Sequence, residues 1–127
     1  MSKKNAGRAN KQAKRIEESP TTNMQILVLI VRSMSGPTQQ VVKFKPGDYT
    51  VGRDPTCDVV ILDPYVSRKH MRIFNREGTW FVEDLGSRNG TFVNGENIQG
   101  RGPVELRAGM EIVLGFSVLV VKGFEQG

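Results

Sequence analysis

From Met24 onward the chain is cut into short apolar or alternating runs, each closed by turn residues, and none shows a sustained helical period. Gln25 to Arg32 is a β-branched and aliphatic run, as expected of a buried strand. A loop over Ser33 to Gln40 carries a Gly-Pro turn signal, and Val41 to Lys45 then stops at Pro46-Gly47-Asp48. Tyr49 to Gly52 and Val59 to Leu62 flank a polar Arg53-to-Asp58 loop. Met71 to Asn75 and Thr79 to Asp84 read as a hairpin across Arg76-Glu77-Gly78. The strand period puts Trp80 and Val82 on one face and Phe81 and Glu83 on the other. Thr91 to Val93 and Glu96 to Ile98 surround Asn94-Gly95, a strong two-residue hairpin signal. Val104 to Leu106, Glu111 to Leu114 and Ser117 to Lys122 complete the set, with Gly109 and Gly115 at turns. Short strands at this spacing predict an all-β fold, a two-sheet antiparallel β-sandwich.

The 127 residues suit one domain with a single core. The longest apolar run, Ile26 to Val31, falls far short of the roughly 20 residues that span a bilayer, and no membrane partner is expected. The N-terminus lacks the apolar centre of a signal peptide. Cys57 is the sole cysteine and cannot form an internal disulfide, which fits a reducing, cytoplasmic (intracellular) setting. Charge is unevenly placed. Residues 1–23 hold Lys3, Lys4, Arg8, Lys11, Lys14 and Arg15 against Glu17 and Glu18, so they carry most of the net +5. The rest is close to neutral, which argues against a nucleic-acid-binding fold despite a pI of 9.7.

Residues 1–23 contain almost no large apolar groups and are expected to be a disordered basic tail or linker. A transient helical turn over Lys11 to Glu18 would end at Pro20. Thr21 and Thr22 offer hydroxyls that a kinase could modify. The expected β-sandwich covers 24–124, and 125–127 form a short C-terminal tail.

Four segments in the strand-ending loops concentrate polar chemistry: Gly52-Arg53, Ser67-Arg68-Lys69-His70, Gly86-Ser87-Arg88-Asn89-Gly90-Thr91 and Asn94-Gly95. A guanidinium is a planar fork of donors suited to phosphate. A loop serine adds a hydroxyl, and an asparagine can grip peptide backbone through both donor and acceptor. Each residue also has a plain reading. Arg53 alone is a surface arginine beside a turn glycine, Ser67 a turn hydroxyl, and Arg68 or Lys69 a solvated charge. His70, the sole histidine, could be a base for Ser67 or a metal ligand. No second histidine or paired cysteine supports a metal, and no orienting acid in a recognisable motif supports a hydrolase. The glycine-rich loop lacks a Gly-Lys-Ser/Thr ending and leads into a strand, so it is not a P-loop.

Across these segments, in this order, the sequence resembles the forkhead-associated (FHA) family of phosphothreonine-binding modules. The resemblance covers roughly Met24 to Phe124. It implies a sandwich of about eleven strands with the ligand loops at one end. It makes Arg53 the main phosphate clamp, Ser67 a hydroxyl donor to phosphate, and Arg68 a second phosphate or peptide-backbone donor. Asn89 would grip the backbone after the phosphothreonine. Ser87 would either brace its loop or reach the ligand, and Arg88 would add a donor or select neighbouring side chains. Gly52, His70, Gly90, Asn94 and Gly95 would support the site, with His70 a buried brace of the Ser67 loop. Met71 departs from the small residue expected after that histidine.

The function so implied is non-enzymatic binding of a phosphothreonine-containing protein or peptide modified by a Ser/Thr kinase, recruiting or regulating that partner, with no cofactor. The alternatives are a structural adaptor for unmodified protein, nucleic-acid binding through the basic tail, and a hydrolase using Ser67 and His70.

Overall fold

In the computed structural model, described for residues 25–33 and 39–127, eleven strands form two sheets. The tail over 1–23, its possible helical turn and the Gly-Pro part of the loop after the first strand lie outside the described residues. In chain order the strands are β1 (Gln25–Arg32), β2 (Gln40–Phe44), β3 (Asp48–Gly52), β4 (Val59–Val60), β5 (Met71–Arg76), β6 (Thr79–Asp84), β7 (Phe92–Val93), β8 (Glu96–Asn97), β9 (Val104–Glu105), β10 (Glu111–Leu114) and β11 (Ser117–Gln126). One sheet runs β2-β1-β11-β10-β7-β8 and the other β4-β3-β5-β6-β9.

The core lies between the sheets. Leu27, Leu29, Val31, Ile112, Leu114, Leu119 and Val121 face it from the first sheet. Val51, Met71, Ile73, Trp80 and Val82 face it from the second. Trp80 and Val82 are buried while Phe81 and Glu83 keep partial exposure, as the alternation requires. The Trp80 indole N–H donates to the Gln25 carbonyl at 3.2 Å, so its polar atom has a partner inside the sandwich. Met71, the residue that departs from the expected small side chain, is itself fully buried core. On the outer face Phe74 is roofed by two guanidiniums, those of Arg72 at 4.0 Å and Arg76 at 5.0 Å from its ring centre.

Three details differ from the sequence pattern. β4 is only two residues long and pairs parallel to β3, against the antiparallel expectation for its sheet. Ile61 leaves the strand, and its N–H donates to the Gly52 carbonyl. β11 runs on to Gln126, paired with β1 as far as Gln25↔Gln126, so residues expected to form a C-terminal tail are strand. The register of that pair shifts between Val28 and Leu29, and this irregularity carries the strand past Gly123, which breaks the apolar alternation.

Register gathers the loops. Val51 at the end of β3 lies opposite Met71 at the start of β5, which lies opposite Asp84 at the end of β6. The loops that follow β3, precede β5 and follow β6 therefore emerge at the same end of the sandwich. Gly52 sets how closely they approach. A Cβ there would sit 2.1 Å from the Arg68 carbonyl oxygen, a backbone atom that cannot rotate away. Gly52→Ala is expected to lower stability by about 1–3 kcal/mol, the usual penalty of overpacking. Equilibrium denaturation measures this, and an unchanged midpoint would show that the loop yields freely.

Candidate functional site

Arg53 leaves β3 with its backbone N–H donating to the Ser67 carbonyl at 3.1 Å. Its side-chain Nε donates to the Val66 carbonyl at 3.0 Å, which aims the guanidinium while leaving the two terminal amino groups for other acceptors. Ser67 Oγ accepts the Arg88 N–H at 3.0 Å, so its own proton remains to be donated. The Asn89 Nδ2 donates to the Tyr65 carbonyl at 2.9 Å, which keeps its Oδ1 and second N–H available. Arg53, Ser67, Arg68, Arg88 and Asn89 line one shallow cleft of about 220 Å³ with Pro64, Tyr65 and Val66. None of the three arginines is in a salt bridge among the described residues.

Beneath this cleft, His70 is fully buried. Its Nδ1 accepts the Ser67 N–H at 3.0 Å and its Nε2 meets the Gly90 carbonyl at 2.9 Å. These partners require the neutral Nε2–H tautomer, since one nitrogen must accept and the other donate. One imidazole thus joins the Ser67 loop to the Asn89 loop. Burial pushes its pKa down, against the opposing pull of the Gly90 carbonyl and of Asp84 and Asp63. The ring meets the Ser67 backbone rather than its hydroxyl. It is therefore placed as a brace and not as a base for a serine nucleophile.

Two carboxylates that the sequence reading did not single out organise the same end. Asp84 accepts the Ser87 hydroxyl at 2.6 Å, the Thr91 hydroxyl at 2.6 Å, and the Gly86 and Ser87 N–H groups at 2.8 and 2.9 Å. Burial raises its pKa, but these donors outweigh it and the net shift is downward. Asp63, completely buried, accepts the N–H of Tyr65 at 2.9 Å, the N–H of Phe116 at 2.8 Å and the Ser117 hydroxyl at 2.8 Å. It ties the loop before β5 to the β10–β11 turn. The signal for Asp84 was the Asp-x-x-Ser spacing, a local side-chain cap of a turn. For Asp63 nothing nearby in sequence points to Phe116.

Ser87 turns inward. It is buried, its hydroxyl donates to Asp84, and its oxygen accepts the Gly90 N–H at 3.0 Å. Of its two expected roles the bracing one matches its contacts, because its proton is already committed. Gly90 has φ of +91°, and a Cβ there would crowd Asn97 at 2.9 Å. Asn94 and Gly95 fix loop geometry and lie outside the cleft lining. They form the β7–β8 turn with φ of +48° and +87°, and Asn94 Oδ1 accepts the Glu111 N–H at 2.9 Å. Glu111 opens β10, whose other end carries Leu114 and Gly115 beside Asp63. Because β7 runs antiparallel to β10, it delivers Asn94 to the opposite rim.

Removing the imidazole by His70→Ala is expected to cost about 1–3 kcal/mol, since it leaves a buried N–H and carbonyl without partners. A pH signature separates this from a simple cavity. As pH falls through the ordinary imidazole value of 6.5, the unfolded chain takes up a proton that the folded chain resists. Stability supplied by the neutral ring is therefore full above that pH and lost as pH falls toward the depressed folded value. Urea titrations at pH 7.5 and 5.5 should show this loss in the parent and its disappearance in His70→Ala. Equal slopes in the two proteins would contradict the bracing role.

Comparison with known proteins fits this geometry. The family model for the FHA domain matches residues 49–115. An oxoglutarate dehydrogenase inhibitor of Corynebacterium diphtheriae is 37% identical over 75 residues, covering 58% of this chain and 50% of that protein. The solution structure of the FHA domain of an Arabidopsis thaliana hypothetical protein superposes with a TM-score of 0.69 at 33% identity, covering 84% of this chain and 90% of that one. An FHA domain from a structural and functional analysis of phosphothreonine-dependent FHA domain interactions gives a TM-score of 0.64 at 27% identity, covering 75% and 95%. The chain spans half or less of the length of the curated relatives it matches. With more than half of its sequence matched by the family model and the same two-sheet sandwich in its structural neighbours, the chain belongs to the FHA domain family.

Proposed function

We propose that the cleft binds a phosphothreonine in a partner protein that a Ser/Thr kinase has modified. The carrying observation is that Arg53, Arg68, Arg88, Ser67 and Asn89, drawn from three loops, line one cleft. A phosphate of about −1.5 to −2 charge takes charge-assisted bonds from Arg53 and Ser67, with Arg68 and Arg88 as further donors. Asn89 offers a donor and an acceptor to the backbone of the following residue. Each bond to the charged group contributes roughly 1.5–3 kcal/mol. A micromolar complex needs about 8 kcal/mol, so a few such contacts suffice after ordering costs.

The same geometry supports binding without turnover. Both nitrogens of His70 are engaged with backbone, and neither faces the Ser67 hydroxyl. The protein acts as a reader that recruits or regulates the phosphorylated partner. A preference for threonine over serine is part of this proposal, since a niche for the extra methyl would add about 1 kcal/mol.

Calorimetry with a phosphothreonine peptide and its unphosphorylated twin provides the test. The phosphopeptide is expected to bind and the twin not. Arg53→Ala should weaken binding at least tenfold, about 1.4 kcal/mol, with little change in thermal midpoint because Arg53 is exposed. Equal binding of both peptides would favour an adaptor for unmodified protein. Unchanged affinity in folded Arg53→Ala would remove that residue from the clamp.

A further inference from the structure

The two sheets differ on their outer faces. On the second sheet that face is closed by its own charges. Arg72 donates to Asp48 at 2.8 Å and to Glu83 at 3.0 Å, and together with Arg76 it covers Phe74. The first sheet is built otherwise. Its central strands β1 and β11 are apolar on both faces, from Ile26 to Val31 in one and from Val118 to Val121 in the other. An antiparallel sheet with one solvated face ordinarily alternates apolar with polar, and a strand apolar on both faces suits cover on both. Here Leu29, Leu119 and Val121 fill the core, while Ile30, Val118 and Val120 point outward and keep partial exposure.

Register lays out this outer face. One row runs Val41, Ile30, Val120, Glu111 across β2, β1, β11 and β10. The row beside it runs Arg32, Val118, Val113, Phe92 across β1, β11, β10 and β7. Val41 is 59% exposed, and the other apolar members are all partly open. Arg32 and Glu111 are exposed, and neither is in a salt bridge among the described residues. The next row is closed at its edge, where Lys43 beside Val28 pairs with Glu125 at 3.2 Å. The apolar block is thus flanked by one cation and one anion at diagonally opposite corners. That arrangement is its own complement. Across a two-fold axis in the plane of the face, Arg32 meets the partner's Glu111 twice over, with the valines and Ile30 packed between the two contacts.

We propose that this face is a dimer interface between two copies of the chain. Strands lie about 4.8 Å apart and same-face neighbours about 6.8 Å along a strand, so the two rows span roughly 20 by 14 Å, about 300 Å². A standard interface buries about 800 Å² per partner, so the dimer is weak, with a dissociation constant of about 100 µM. The charges fix the orientation of the copies more than the strength of their contact. The face lies on the flank of the first sheet, whereas the cleft is built on loops at the end of the second. Dimerisation therefore needs no phosphate and leaves both clefts open. On the phosphothreonine reading of the cleft, such a dimer holds a doubly phosphorylated partner with avidity.

Sedimentation equilibrium of the full chain, unphosphorylated and without peptide, tests this from about 10 µM to about 1 mM, a range that brackets the expected constant. A reversible monomer–dimer equilibrium is expected. Arg32→Glu and Glu111→Arg should each weaken it at least about tenfold by setting like charges together, and the double variant should regain it. Both residues are exposed, so the variants keep the core, and thermal midpoints check this. A chain that stays monomeric throughout would overturn the proposal. If the Val118 and Val120 methyl groups of that monomer are also shielded from a soluble paramagnetic agent, another part of the same chain covers the face. A dimer indifferent to both single reversals, or one that the double variant does not regain, forms elsewhere and equally overturns it. Dissociation by saturating phosphothreonine peptide would place the contact at the cleft and exclude the face. Failure of that peptide to bind at all would remove the clamp and the avidity while leaving the dimer standing.

Discussion

The ligand end of this sandwich depends on one neutral imidazole. His70 accepts from the Ser67 N–H and donates to the Gly90 carbonyl, spanning the loops before β5 and after β6. No strand pairing joins those loops above Met71 and Asp84, where the sheet register ends. Without the ring, each loop would have to find separate partners for buried backbone groups. Asp84 does comparable work within the β6–β7 loop, and Asp63 between the β4–β5 loop and the β10–β11 turn. The polar groups divide by direction. Those pointing inward, His70, Asp63, Asp84 and Ser87, are spent on backbone and hydroxyl partners. The outward ones, Arg53, Arg68, Arg88 and Asn89, remain exposed around the cleft.

That division accounts for the electrostatics. Three arginines line the cleft, none of them in a salt bridge among the described residues, and Asp54 interacts with Arg68 only at longer range. The acidic groups below them are already saturated by donors, so they hold the loops without neutralising the arginines directly. The cleft therefore presents fixed positive charge on a fold whose remainder is close to neutral. A phosphate docking there, as proposed, would meet donors already aimed, which would reduce reorganisation on binding.

Much of the fold was legible because strand alternation and turn chemistry are local. The alternation of Trp80 and Val82 against Phe81 and Glu83 sufficed for β6. The positive φ values at Asn94 and Gly95 follow from their residue types. The residues of the cleft were legible through the resemblance to the FHA family, carried by four motifs in order, since each arginine or serine taken singly also has a plain structural use. What escaped was long-range. Asp63 bonds to Phe116 across 53 residues, and no local pattern marks the pair. Ser87 and Ser67 look alike in sequence, yet one hydroxyl is buried on Asp84 and the other faces the cleft, because only the folded loop decides the side. Asn94 shapes the β7–β8 turn, as its Asn-Gly spacing implies, but only the direction of β7 shows at which end of β10 that turn sits. The extension of β11 to Gln126 was hidden because Gly123 and the polar residues after it carry no strand signal of their own.

The most direct test of the central claim is a two-dimensional amide NMR titration of the full chain with a phosphothreonine peptide. Saturable shifts are predicted at Arg53, Ser67, Arg88 and Asn89, with Asn94, Arg107 and Met110 at the opposite rim unmoved. Shifts concentrated at that opposite rim, or none at the cleft under saturating peptide, would contradict the account.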